Sequence, residues 1–118
     1  MITNNSQYYA TVPVRLEWKG DGGAQMFADG LTENIGLGRV LVYFPRTILP
    51  LVGVKVLLTV TDVELGTEVK ATTVVVRLDR NPRHPLVSLQ LKDSLREWKK
   101  EVFDLYKLYE NEKEQSYY

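Results

Sequence analysis

Apolar and polar residues alternate over short stretches between residues 10 and 91, and Gly, Pro and Asp separate one stretch from the next. The clearest stretch, residues 10–18, has apolar side chains at every second position: Val12, Val14, Leu16 and Trp18. A period of two is typical of a β-strand with one buried face. Similar patterns predict five further strands, near residues 25–31, 39–44, 54–60, 68–78 and 86–91. Six strands at this spacing are typical of an all-β barrel or sandwich.

The segments between the predicted strands are rich in residues that favour turns. Turns and loops are expected at residues 20–23, 34–38, 45–53 and 79–85, where Gly, Pro, Asn and Asp concentrate. Pro13 has no backbone N–H, so the first strand is expected at a sheet edge or with a bulge at that point. Gly30 is expected to weaken the end of the second strand.

After Asp93 the apolar period changes from two to about 3.5, and Gly and Pro no longer occur. This predicts a helix over residues 93–114. Asp93 or Ser94 is its expected N-cap, and Glu97, three residues after Ser94, completes a capping box. Its apolar stripe consists of Leu95, Trp98, Val102, Leu105 and Tyr109, and it is widened by Phe103, Tyr106 and Leu108. Two interpretations stay open: the stripe docks on the sheet with partly exposed tyrosines, or the excess apolar surface forms a homo-oligomer through this helix.

No linker or internal repeat divides the chain, and its 118 residues are the size of one domain. We therefore predict a single all-β domain with a C-terminal helix. In this prediction the strands of the barrel or sandwich cover residues 7–92, and an amphipathic helix of the same domain covers residues 93–114.

Opposite charges are balanced, with 15 Lys and Arg against 15 Asp and Glu, so the formal net charge is zero. This balance makes a nucleic-acid-binding β-barrel a less favoured alternative. The absence of Cys excludes disulfides and thiolate metal sites and agrees with a reducing cytoplasm. The N-terminus lacks the pattern of a signal peptide, and the apolar stretch over residues 48–58 is too short to span a bilayer. We expect a cytoplasmic protein with no membrane or nucleic-acid partner.

Residues that could carry catalysis or bind a metal are few. His84 is the one histidine and lies between Arg83 and Pro85 in a predicted loop, where a solvated side chain is expected. One histidine without Cys or a neighbouring carboxylate makes no metal site. We interpret the basic cluster of Arg77, Arg80, Arg83 and His84 as a solvated loop rather than a nucleic-acid surface. No nucleophile elbow, Walker A loop or dinucleotide fingerprint occurs, so we predict no enzyme activity, no catalytic residue and no metal.

Residues 34–40, with the sequence NIGLGRV, resemble the Asp/Asn-x-Ser-x-x-Gly motif of the PilZ domain family, bacterial β-barrel receptors for cyclic di-GMP. Residues 12–16, VPVRL, are similar to the first strand of that family, which follows an Arg-x-x-x-Arg motif. The order of the later strands and the final helix also fits, so the resemblance extends over about residues 7–110. It implies a six-stranded antiparallel PilZ-type β-barrel followed by a C-terminal helix.

The resemblance also implies a ligand-binding site, at which this chain departs from the family pattern. Gln7 and Thr11 occupy the positions of the two arginines that bind the phosphates and guanine faces of the dinucleotide. Gly36 replaces the motif serine and Arg39 replaces the final glycine, whereas Asn34 keeps the ligand-contacting residue type. The strong, often bidentate hydrogen bonds of an arginine pair are therefore missing from the motif positions.

We therefore expect a non-catalytic regulatory or adaptor module in bacterial cyclic-di-GMP-linked signalling, which acts through contacts with a partner protein and needs no cofactor. On this interpretation cyclic di-GMP is disfavoured as a ligand. The alternative is a direct cyclic-di-GMP receptor whose divergent site uses Asn34, Arg39 and Arg15.

Overall fold

The computed structural model describes residues 7–44 and 49–115, with side chains described as far as Glu110. The described residues form the strands β1 (Gln7–Tyr9), β2 (Pro13–Lys19), β3 (Gln25–Gly36), β4 (Arg39–Tyr43), β5 (Lys55–Asp62), β6 (Thr67–Asp79) and β7 (Leu86–Leu91). A 3-10 turn over Asp21–Gly23 joins β2 to β3. The C-terminal helix has three parts: α1 (Leu95–Trp98), a π-helical turn (Lys99–Phe103) and α2 (Asp104–Gln115). The predicted connection over residues 45–53 lies partly outside the described residues.

Six of the strands close into an antiparallel barrel. They are hydrogen-bonded in the order β3, β2, β5, β6, β7, β4, and β4 pairs with β3 to complete the ring. β1 is a short additional strand that continues the line of β2 along the same edge of β3. Closure gives each of the six strands two neighbours, which satisfies the backbone hydrogen bonds that an open edge would leave unpaired. The six-stranded barrel with a C-terminal helix is therefore confirmed.

The interior of the barrel is filled by the inward-facing residues that the period of two predicted. Along β2, Val14, Leu16 and Trp18 are buried, whereas the residues between them face outward. The neighbouring strand β5 contributes Val56 and Leu58, and β7, on the opposite side of the barrel, contributes a buried row: Val87, Leu89 and Leu91. Burial of each such side chain stabilises the fold by about 1.5–3 kcal/mol, so this interior supplies most of the stability.

The predicted first strand over residues 10–18 is wrong at its beginning, because the chain breaks its pairing between β1 and β2. The buried hydroxyl of Thr32 bridges this break: it accepts the backbone N–H of Val12 at 2.8 Å and donates to the carbonyl oxygen of Ala10 at 2.6 Å. Pro13 begins β2 opposite Leu31 of β3, and the pairing of β2 with β5 starts only at Val14. The missing N–H of Pro13 is therefore accommodated at a strand end. β2 lies between β3 and β5 and pairs with β3 without a register shift, so neither the predicted sheet edge nor the predicted bulge occurs at Pro13.

The second strand is longer than predicted, because Gly30 continues it instead of ending it. A Cβ atom at Gly30 would lie 2.8 Å from the carbonyl oxygen of Tyr43 and 2.8 Å from Cγ1 of Val42. Glycine thus allows β3 and β4 to approach closely where the barrel closes. The predicted loop over residues 34–38 is correspondingly shorter, since β3 extends through Gly36 and leaves only two residues before β4.

The helix covers one end of the barrel with Trp98, Val102 and Phe103, all of which are buried. Its first turn differs from the predicted capping box. Ser94 has a left-handed backbone (φ 57°) and makes no side-chain cap hydrogen bond. Asp93 instead accepts the backbone N–H of Thr72 at 2.8 Å, and this hydrogen bond lowers the pKa of the Asp93 carboxyl. The start of the helix is therefore attached to β6 rather than capped by its own side chains.

Candidate functional site

The pairing of β1, β3 and β4 brings three of the predicted site residues together on the outside of the barrel. Gln7 pairs with Gly36, and Asn34 lies opposite Leu41, two residues from Arg39. These residues line a hollow of about 550 Å³ on the outer face of the sheet, which we call the outer hollow. Its lining consists of Gln7, Asn34, Arg39, Val40, Leu41, Val76, Arg77, Asp79, Leu86 and Ser88.

A β-bulge adds Arg77 to this site, which the motif comparison did not include. The register between β6 and β7 shifts between Val75 and Arg77, so Val76 is an extra residue on β6. Inward-facing Val75 is opposite Leu89, whereas Arg77 is opposite Ser88 in the outer hollow. A bulge of this kind re-aims a side chain at the surface. The signal in the sequence is the run Val74–Val76 followed by Arg77, which breaks the period of two.

The charged groups of the outer hollow are mainly positive. Arg39 and Arg77 are exposed, and neither forms an ion pair with any residue that the structure describes. Asp79 is the acidic lining residue, and its carboxylate accepts the backbone N–H of Asn81 at 3.1 Å. The buried Oδ1 of Asn34 has no hydrogen-bond donor within the described part of the chain. The site can therefore bind an anion and still has an unused polar group.

Thr11 and Arg15, two further predicted site residues, lie outside the outer hollow. Thr11 lines a separate hollow of about 400 Å³ together with Tyr9, Ala10, Glu33 and Glu110. Arg15 is on β2, where its guanidinium lies 5.1 Å from the ring centroid of Phe27 and 3.8 Å from the Glu17 carboxylate. Arg15 is opposite Asp29 of β3 and is not brought together with Asn34 and Arg39 in the outer hollow, so its part in a ligand site stays a prediction.

Gly36, the remaining predicted site residue, is buried and connects the outer hollow to the helix. Its carbonyl oxygen accepts the indole N–H of Trp98 at 2.7 Å. A second hydrogen bond joins the same region to the helix, because Tyr8 donates its hydroxyl to the carbonyl oxygen of Phe103 at 2.6 Å. Burial, and to a smaller extent the negative charge of Glu110, raises the pKa of the Tyr8 hydroxyl well above its usual value, so this donor stays protonated.

The predicted apolar stripe of the helix does not form one continuous face. Trp98 and Val102 are buried against the barrel, whereas Leu95 is 51% exposed and Leu105 and Tyr109 are half-buried. The π-helical turn is the physical reason, because one additional residue per turn rotates the following residues and brings Phe103 into the core beside Val102. Docking on the barrel therefore uses part of the stripe. The role of the remainder in self-association stays a prediction.

His84 is more constrained than the predicted solvated loop residue. Its Nε2 contacts the carboxylate of Glu33, and its ring stacks on Tyr43 at 4.9 Å between ring centroids with an interplanar angle of 19°. A bulge on β3 between Thr32 and Asn34 makes Glu33 available for this contact. The sequence could not show this partner, because 51 residues separate the two side chains.

Within residues 7–44 and 49–115, no group of three or more His, Cys, Asp and Glu side chains is arranged to hold a metal ion. The same residues contain no helix with the length and apolar character needed to cross a membrane.

Comparison with known proteins gives structural similarity without close sequence similarity. No protein-family profile matches the chain, and no curated protein matches it. The PilZ domain of CeSA from a cellulose-synthesizing bacterium is similar over 85% of this chain and 97% of its own, with 18% identity and a TM-score of 0.64. The PilZ domain of YcgR from Escherichia coli, solved with c-di-GMP, is similar over 95% of this chain and 98% of its own, with 11% identity and a TM-score of 0.62.

The inhibitor of motility MotI/DgrA from Bacillus subtilis is also similar, with 15% identity and a TM-score of 0.60. The match covers 79% of this chain but only 44% of that protein. Together these similarities show that the chain has the fold of a PilZ domain, which the motif resemblance implied.

Proposed function

We infer that the chain is a non-catalytic PilZ-type regulatory module in cyclic-di-GMP-linked signalling, located in the cytoplasm and acting through contacts with a partner protein. The fold supports the first part of this proposal. The observation that carries the second part is the absence of charge at Gln7 and Thr11, the motif positions of the two ligand-binding arginines. Thr11 also lies outside the outer hollow that Gln7 lines.

The loss of two arginines has a predictable effect on affinity. Each charge-assisted hydrogen bond contributes about 1.5–3 kcal/mol, so the loss of both costs on the order of 3–6 kcal/mol. This corresponds to a decrease of about 10²–10⁴ in affinity. We therefore predict that cyclic di-GMP does not bind with physiological affinity.

A direct cyclic-di-GMP receptor is the second candidate, and the composition of the outer hollow favours it. Gln7, Asn34 and Arg39 line the hollow together, and Arg77 adds a second guanidinium that the motif comparison did not include. Two arginines can bind phosphates in a pose different from that of the family. Arg15, by contrast, does not line this hollow.

Isothermal titration calorimetry distinguishes the two candidates. We expect no saturable heat when cyclic di-GMP is titrated to about 100 µM, a concentration at which micromolar binding would be complete. The PilZ domain of YcgR, which binds c-di-GMP, is the positive control. Saturable binding at low micromolar ligand, abolished by Arg39→Ala, would establish the receptor and contradict the adaptor proposal.

A further inference from the structure

The outer hollow combines two cations, which form no ion pair with the described residues, and a mainly apolar floor. Arg39 and Arg77 are exposed at different sides of it, and the acidic lining residue Asp79 already accepts a backbone hydrogen bond. The floor between the two arginines is formed by the half-buried side chains of Leu41, Val76 and Ser88. Since the whole chain has no net charge, this local positive charge selects a small acidic group rather than a long polyanion.

The strand register gives the distance between the two cations. Arg39 lies two residues from Leu41 along β4, and Leu41 is separated from Arg77 by β7. With about 4.8 Å between strands and about 3.3 Å per residue along a strand, the two arginine Cα atoms are about 12 Å apart. In an extended peptide, residues i and i+4 are about 13 Å apart and lie on the same face. An apolar residue at i+2 on that face lies above the floor.

The amide of Asn34 adds a hydrogen-bonding group of the type that a peptide can satisfy. Its Oδ1 is buried without a donor, and no hydrogen bond within the described residues fixes the amide group. Because Asn34 lines the hollow, a peptide N–H that reaches this oxygen can donate to it. A phosphodiester backbone has acceptors only and has no apolar side chain for the floor.

We propose that the outer hollow binds an extended acidic segment of a partner protein. Two carboxylates four residues apart pair with Arg39 and Arg77, and the apolar side chain between them packs on Leu41 and Val76. This inference rests on the proposed function and specifies the chemistry of the partner.

The test uses a fluorescein-labelled peptide of about eleven residues with the central sequence Glu-Ser-Leu-Ser-Glu. Its binding to the protein is measured by fluorescence anisotropy at about 50 mM salt. We expect binding by the full chain with a dissociation constant of about 10–200 µM, the range of weak specific contacts. Replacing both Glu by Gln, or the Leu by Ser, is expected to weaken binding at least about tenfold, because it removes one of the two matched features.

Charge reversal in the protein provides the matched control. Arg39→Glu with Arg77→Glu is expected to abolish binding of the acidic peptide and to allow binding of a peptide with Lys in place of both Glu. Lys19→Glu with Lys70→Glu makes the same charge change at exposed residues outside the hollow and is expected to change the affinity less than about twofold. Circular dichroism verifies that both double variants fold. If the Arg39→Glu and Arg77→Glu variant does not fold, Arg39→Gln with Arg77→Gln replaces it.

Three results would overturn this proposal. The first two are the absence of peptide binding up to about 1 mM and an equal effect of the two charge reversals. The third, stronger binding of a 20-base-pair DNA or of vesicles containing phosphatidylserine with the same dependence on Arg39 and Arg77, would assign the hollow to a different partner class. Titration with cyclic di-GMP is independent of these measurements, so a failure of the proposed function is distinguishable from a failure of the peptide site.

Discussion

Replacing Trp98 with phenylalanine removes one buried hydrogen bond between the helix and the barrel. Trp98 is fully buried, and its indole N–H donates to the carbonyl oxygen of Gly36 at 2.7 Å. Phenylalanine keeps an aromatic ring in the core but has no donor. The Gly36 carbonyl is then left without this partner in a region that water does not reach.

The magnitude follows from two contributions. An unsatisfied buried polar group costs about 1–3 kcal/mol. The smaller ring forfeits roughly 40 Å² of buried apolar surface, or about 1 kcal/mol, and the cavity that remains adds to this cost. We therefore expect Trp98→Phe to lower the free energy of unfolding by about 2–4 kcal/mol, a large fraction of the total for a domain of this size.

Trp18→Phe is the matched control, because it removes the same atoms without this hydrogen bond. Trp18 is 5% exposed, packs against Phe44 with ring centroids 6.1 Å apart, and donates no hydrogen bond to the residues that the structure describes. Its substitution is expected to cost about 1–2 kcal/mol, from the loss of packing alone.

Urea unfolding monitored by far-UV circular dichroism measures both variants, with the free energy obtained from the midpoint and slope of each transition. The expected difference between the two variants is about 1–3 kcal/mol, the cost of the orphaned carbonyl. Equal losses for Trp98→Phe and Trp18→Phe would refute the role assigned to the Trp98–Gly36 hydrogen bond.

Three further predictions concern the strand break, the pH dependence and the oligomeric state. Thr32→Val is expected to destabilise the protein by about 2–4 kcal/mol in urea unfolding, because two buried backbone groups lose their hydrogen-bond partner. Thr73→Val is expected to cost less, because it removes a single hydrogen bond, to the carbonyl oxygen of Val56. Burial, and then the neighbouring Asp62 carboxylate, raise the pKa of Tyr106 to about 12 from its usual 10. The folded state therefore holds this proton more tightly, so the associated stability is complete below pH 10 and is lost as the pH rises toward 12. Tyr106→Phe should make the alkaline decline in thermal unfolding temperature shallower, and an unchanged slope would contradict this. Sedimentation equilibrium at about 50 µM is expected to show a dimer that Leu108→Glu dissociates, whereas a monomer would exclude weak self-association through the helix.

Local sequence patterns determined the strands, because the side chains of a strand alternate between two faces whatever the strand pairs with. The period of two predicted the buried face of β2, and the change of period after Asp93 predicted the helix. The motif resemblance added the closed topology, and it identified Gln7, Asn34 and Arg39 as neighbours.

Only the tertiary structure decided the features that depend on distant residues. The break between β1 and β2 depends on the Thr32 hydroxyl, 20 residues from Val12, and the attachment of the helix depends on Trp98, 62 residues from Gly36. The bulge that brings Arg77 into the outer hollow is a register shift between β6 and β7, which only the pairing of these two strands shows. Hydrogen bonds and strand register between segments far apart in the chain leave no periodic pattern in the local sequence. The sequence therefore predicted the motif positions of the site and did not predict Arg77, which the fold adds to them.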